Sequence, residues 1–138
     1  MATTGSFTLN RDALEKLVNS PSGQVAKYLA VQGRRVETQA RRLATNQIVN
    51  VDTGRLSGAI SSALATDSKG LFVKVLCNVE YAAAVHEGTV AHPIVGRNSP
   101  RKVLRFPSGG GIVYAKRVNH PGTDPRPFLR LALNVLKN

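Results

Sequence analysis

From Gln24 to Asn50, apolar residues return every three or four positions: Val25, Leu29, Val36, Ala40, Leu43, Ala44 and Ile48. That period places them in one stripe along a helix, and the stripe must be covered by other parts of the chain. Arg34, Arg35, Arg41 and Arg42 fall mostly on the other side. Gly33 costs about 1 kcal/mol relative to Ala inside a helix, so it either permits close packing or marks a bend. Everything else in the chain has to be arranged around this one long amphipathic element.

Ahead of it, LNRDALEKLVN (9–19) predicts a short helix with Asn10 as its cap and Leu14, Leu17 and Val18 as its apolar face, broken off by SPSG. After it comes VDTGRLSGAI (51–60). Asp52 and Thr53 are good cap residues, and Gly54 allows a sharp turn. A brief helical segment and a strand through about Leu64 are expected next, then a loop at TDSKG (66–70). LFVKVLCNV (71–79) reads as a strand, with Leu71, Val73, Val75, Cys77 and Val79 on one face and Phe72 and Leu76 on the other, so both faces are expected to be partly covered. YAAAVHEGT (81–89) predicts a short helix ended by Gly88. AHPIVGRNSPRK reads as irregular, broken by prolines and glycine. VLRF (103–106) and IVYAKRV (112–118) predict two strands joined through PSGGG as a hairpin. NHPGTDPRP reads as a stiff linker, and FLRLALNVLKN as a closing helix whose apolar surface is Phe128, Leu129, Leu131, Leu133 and Leu136.

The expected fold class is therefore α+β: a long N-terminal helix and a C-terminal helix packed on a small, mainly antiparallel sheet, with a long loop and hairpin. At 138 residues a single domain is expected, with residues 1–22 as an arm or short helix and 90–123 as a basic extension. No apolar run is long enough to span a membrane, and MATTGSFTLN lacks the pattern of a secretory signal, so neither a span nor a leader is expected. Cys77 is the one cysteine, which excludes an internal disulfide and fits a reducing compartment.

The formal charge is +11, and it is unevenly spread. Between Glu87 and Asp124 there is no acidic residue, yet Arg97, Arg101, Lys102, Arg105, Lys116 and Arg117 lie there. Such a stretch is a solvated basic loop, a contact with DNA, or a contact with an acidic protein surface.

Catalytic chemistry is thinly represented. His86, His92 and His120 do not share a metal-ligand spacing, and His86 beside Glu87 is not expected to place both side chains on one helical face. No serine sits in a nucleophile-elbow turn. SGGG at 108–111 lacks the lysine and following helix of a phosphate loop. No cofactor, metal or enzymatic activity is expected. Zinc-finger spacing and ribonucleoprotein motifs are also missing, and aromatic residues make up only 5 % of the chain, so any DNA contact would be to phosphates without sequence readout.

Three segments, VDTGRLSGAI (51–60), VEYAAAVHEGT (79–89) and DPRPFLRLAL (124–133), stand in an order and spacing that resemble the head–tail joining proteins of tailed bacteriophages. More narrowly, the chain resembles their small tail-completion or tail-terminator proteins. There, an Asp-Thr-Gly-x-Leu-type corner follows a long helix, matched here by Asp52 through Leu56. A Tyr-Ala-x-x-x-Glu-x-Gly-Thr-type segment follows the next strands, matched by Tyr81 through Thr89. A Pro-x-Pro-Phe-Leu-type element opens the last helix, matched by Pro125 through Leu129. The likeness covers roughly residues 20–138, and it departs from the family at His86 and in the long basic 90–123 segment.

The resemblance implies a small α+β protomer assembled into a ring, six-fold as is common in tail terminators. Its neighbours would be the connector or stopper and the tail tube. DNA would pass through the lumen without sequence-specific binding, in the virion at the head–tail junction and in the host cytoplasm during assembly. The candidate interface residues are Asp52, Thr53, Arg55, Tyr81, His86, Glu87, Arg97, Arg101, Lys102, Arg105, Lys116, Arg117, Arg126, Phe128 and Leu129. Several have a plainer alternative: Asp52 and Thr53 brace a corner, Glu87 closes a helix, and Phe128 and Leu129 fill a core. A different class of function, a small basic protein that binds DNA without specificity, also remains open.

Overall fold

The structure is a computed structural model that describes residues 5–47, 54–96 and 102–137. The chain is an α+β protein made of helices and two-stranded antiparallel ladders. It divides into two compact units: one runs to Val79 and resumes at Phe128, and the other is Glu80–Pro127.

In the first unit, α1 (Arg11–Asn19) begins where Asn10 accepts a hydrogen bond from the Ala13 N–H at 3.0 Å. The long helix α2 (Gln24–Arg42) follows. It ends earlier than its periodicity predicts, passing into a π-helical turn at Leu43–Gln47. The Thr45 hydroxyl donates to the Arg41 carbonyl at 2.6 Å, a local bond that competes with the regular ladder. The stripe on α2 is buried at Ala26, Gly33, Val36 and Ala40, and burial continues at Leu43 and Ala44. Val25 and Leu29 are only half-buried.

The brief helical segment is α3 (Arg55–Gly58), preceded by Gly54 in the left-handed region. Strands β1 (Ile60–Asp67) and β2 (Gly70–Cys77) pair antiparallel from Ile60 opposite Cys77 to Asp67 opposite Gly70. The expected loop at 66–70 is thus a tight two-residue turn, in which Asp67 accepts the Lys69 N–H at 2.7 Å. One face of this ladder packs on α2. The other face is open at Phe72 and Lys74 but half-covered at Leu76, so it is partly covered as expected.

The closing helix is shorter than expected: α5 (Phe128–Ala132), then a 3-10 turn at Leu133–Lys137. Phe128 and Ala132 are completely buried and dock α5 on α2, while Leu131, Leu133 and Leu136 stay exposed. Full burial of a side chain such as Phe128 or Ile60 contributes roughly 1.5–3 kcal/mol.

The second unit opens with α4 (Ala82–Glu87), ended by Gly88 at φ +76. A Cβ there would collide with the backbone of Thr123 and Pro125, so the position requires glycine twice over. Thr89 and Thr123 exchange backbone hydrogen bonds of 3.0 Å each, and their hydroxyls lie 3.0 Å apart. The Arg126 N–H donates to the Val85 carbonyl, which ties the proline-rich linker to α4.

Two ladders complete this unit. Strand β3 (His92–Val95) lies in the stretch expected to be irregular, with Pro93 inside it. Strands β4 (Leu104–Ser108) and β5 (Gly111–Ala115) form the expected hairpin, turning at Gly109 and Gly110, both at positive φ. The expected strand at 112–118 is split at Lys116, and its second half, β6 (Arg117–His120), leaves the hairpin and pairs antiparallel with β3. His92 and His120 face each other across that ladder with ring centres 5.2 Å apart.

Candidate assembly surface

In the first unit, Arg55 stands exposed at the start of α3. The segment it belongs to is held from beneath. Leu56 is buried, the Ser57 hydroxyl donates to the Gly54 carbonyl at 3.0 Å, and the Cys77 thiol donates to the Leu56 carbonyl at 3.5 Å. Burial pushes the Cys77 thiol upward from its ordinary value, against a smaller opposing effect from the backbone at Val79. Asp52 and Thr53, expected to brace this corner, lie outside the described residues.

Phe128, proposed for an interface, is a core residue: it is wholly buried. Leu129 is half-buried. The apolar surface that the last turns offer to a partner is carried instead by Leu131, Leu133 and Leu136.

In the second unit, Tyr81 is 40 % exposed at the entry to α4. His86 Nδ1 and Glu87 Oε1 are 2.5 Å apart, so the expectation that these neighbours point to different faces is corrected. They meet because the helix stops there and Gly88 turns the chain away. Glu87 is the more exposed partner.

The basic candidates of this unit come from several elements. Arg105 is on β4 opposite Tyr114, Lys116 lies between β5 and β6, Arg117 is opposite Val95, and Lys102 and Arg126 sit in connecting segments. All five are exposed. Arg97 and Arg101 lie outside the described residues. Beside these charges, Ile112, Val113 and Tyr114 are exposed at 53, 40 and 62 %. Successive strand residues point to opposite faces, so both faces of this two-stranded ribbon carry apolar side chains in water.

One cationic feature was not singled out in the sequence. On the outer side of α2, Arg34, Arg35 and Arg42 line a groove of about 460 Å³ with Val31, Thr38 and, from the 3-10 turn, Val135. Arg35 is fixed there, donating to Gln32 Oε1 at 2.9 Å and to the Val135 carbonyl at 3.3 Å. Among the described residues, no acidic side chain lines the groove. The spacing 31, 34, 35, 38, 42 was visible as a helical stripe, but only the return of the C-terminal turn onto α2 makes it concave.

Among the described residues no group of three or more His, Cys, Asp or Glu side chains is placed to hold a metal ion, and no helix is long and apolar enough to cross a membrane. No family model, no curated protein and no solved structure matches the chain.

Proposed function

We propose that this chain is a structural protein of the phage neck, acting without catalysis as a tail-completion or tail-terminator subunit in an oligomeric ring between the connector and the tail tube. The observation that carries the reading is the β4–β5 ribbon, which keeps apolar side chains exposed on both faces. An isolated two-stranded hairpin is marginal in water, and exposed apolar surface of this kind belongs in an assembly. Leu131, Leu133 and Leu136 on the other unit add to it. The phage assignment itself rests on the three ordered segments around Asp52, Tyr81 and Phe128.

The mechanism is geometric. One surface of each subunit meets a different surface of the next, and such head-to-tail contacts close into a ring when the rotation allows. The exposed cations Lys102, Arg105, Lys116, Arg117 and Arg126 meet acidic protein neighbours. A lumen lined with them would grip phosphates and slow the passage of DNA.

The test is to purify particles from an infected host and to measure the mass of the recombinant chain alone and with its neighbouring virion proteins. Presence in the particle neck and a closed oligomer support the reading. Absence from particles overturns it. Tight binding of random-sequence duplex DNA with a steep salt dependence, by a chain that never assembles, would favour the DNA-binding alternative instead.

A further inference from the structure

We infer that the groove between α2 and the C-terminal 3-10 turn is a docking site for an acidic, partly apolar segment of a different polypeptide. The inference borrows from the proposed function only the idea that this other polypeptide is a virion neighbour. The groove itself is read from its lining.

Among the described residues, its walls carry three guanidinium groups and no carboxylate. Arg34 and Arg42 are eight residues apart, about 12 Å along the helix axis, so they address two separate anionic groups. Arg35 lies between them, already oriented by Gln32 and the Val135 carbonyl. Guanidinium groups suit carboxylates, which they bind in a two-pronged manner. Val31 and Val135 add apolar surface within the same groove. A segment that fits it therefore carries two or more Asp or Glu and at least one aliphatic side chain.

A second copy of this chain meets that description poorly, since its α1 segment sets Arg11 and Lys16 beside Asp12, Glu15 and the exposed Leu14 and Leu17. The chain has 8 acidic residues against 19 Lys and Arg. Glu37 is paired with Arg41, Glu87 with His86, and Asp67 is engaged in its turn. Helix α1 holds Asp12 and Glu15 together, but Arg11 and Lys16 cancel them. At this groove a second copy would bring more positive than negative charge. Duplex DNA has the charge but not the apolar part. A duplex presents phosphates along its backbone, which would engage the guanidinium groups but leave Val31 and Val135 without an apolar partner.

The experiment uses the full chain and a fluorescein-labelled peptide of alternating Glu and Leu, followed by fluorescence anisotropy. A Lys–Leu peptide and a short random-sequence duplex serve as comparison probes. The acidic peptide is expected to bind, and each of Arg34→Glu and Arg42→Glu to weaken it about tenfold or more. Thr38→Trp, which fills the groove without changing any charge, is expected to weaken it comparably. Arg117→Glu, in the other unit, is expected to leave it unchanged. Circular dichroism confirms that each variant is folded. Binding that survives Thr38→Trp, or that falls equally with Arg117→Glu, would show diffuse charge attraction and overturn the inference. So would preference for the duplex. Peptide binding by a chain absent from particles would retain the groove and reject the neck reading. A chain built into the neck whose groove ignores the peptide would do the reverse.

Discussion

Glu37 and Ser62 are joined twice: the Ser62 backbone N–H and hydroxyl both donate to the same carboxylate oxygen, at 3.0 and 2.6 Å. One turn along α2, Arg41 pairs with the other oxygen of Glu37 at 2.8 Å and donates to the Ile60 carbonyl at 2.7 Å. These backbone groups of β1 point away from β2. Two helix side chains therefore occupy an edge that would otherwise offer itself to another strand.

Removing the carboxylate leaves the Ser62 N–H without its acceptor and Arg41 without its counter-charge. Glu37→Ala is expected to cost about 2–3 kcal/mol, and Ser62→Ala about 1 kcal/mol, since the latter keeps the backbone bond. Urea denaturation followed by circular dichroism measures both. Equal losses would mean that neither the backbone bond nor the Arg41 pair contributes.

Gly33 faces Val73, and a Cβ at that position would fall inside the Val73 Cγ1 methyl. Gly33→Ala is therefore expected to destabilise the first unit by roughly 1–3 kcal/mol through overcrowding, although helix propensity alone would make alanine about 1 kcal/mol better. Pairing it with Val73→Ala should recover part of the loss. A double-mutant cycle with no coupling would refute the contact.

The raised Cys77 thiol gives the protein a dependence on alkaline pH. The folded chain keeps the thiol proton at a pH where the unfolded chain releases it. Stability from this group is therefore complete below the ordinary thiol range and is lost as pH rises through that range towards the folded value. Cys77→Ser, which does not titrate there, is expected to lose less stability than the native chain over the same rise. Identical slopes would contradict the assignment. Alkylation of the native thiol should also be slower than in urea.

On the proposed neck function, in which these cations would meet acidic protein, reversing Arg101, Lys102 and Arg105 to Glu is expected to reduce incorporation of the chain into necks. Counting tailed particles by electron microscopy measures the effect. Normal assembly of the triple variant would count against that role.

Local signals in the sequence were read correctly wherever one or two residues decide the outcome. Asn10 starts α1, Gly88 ends α4, and Gly109–Gly110 turns the hairpin. Other features depended on distant partners. Pro93 argued against a strand, yet β3 forms because β6 lies beside it. The apolar run at 112–118 looked continuous, but its two halves pair with different strands. Residues around Thr45 keep helical periodicity while a hydroxyl bond diverts the backbone. The groove on α2 became concave only through Val135, one hundred positions from Arg35. The candidate site was legible as composition, namely excess cations and apolar ribbon residues, but not as a location.

The helical unit is interrupted between Val79 and Phe128, and the residues that resume it are anchored by complete burial of Phe128 and Ala132. A protease that nicked the chain within the interruption would thus leave two fragments that stay together without a covalent link. They would separate on a denaturing gel and travel as one species through a sizing column.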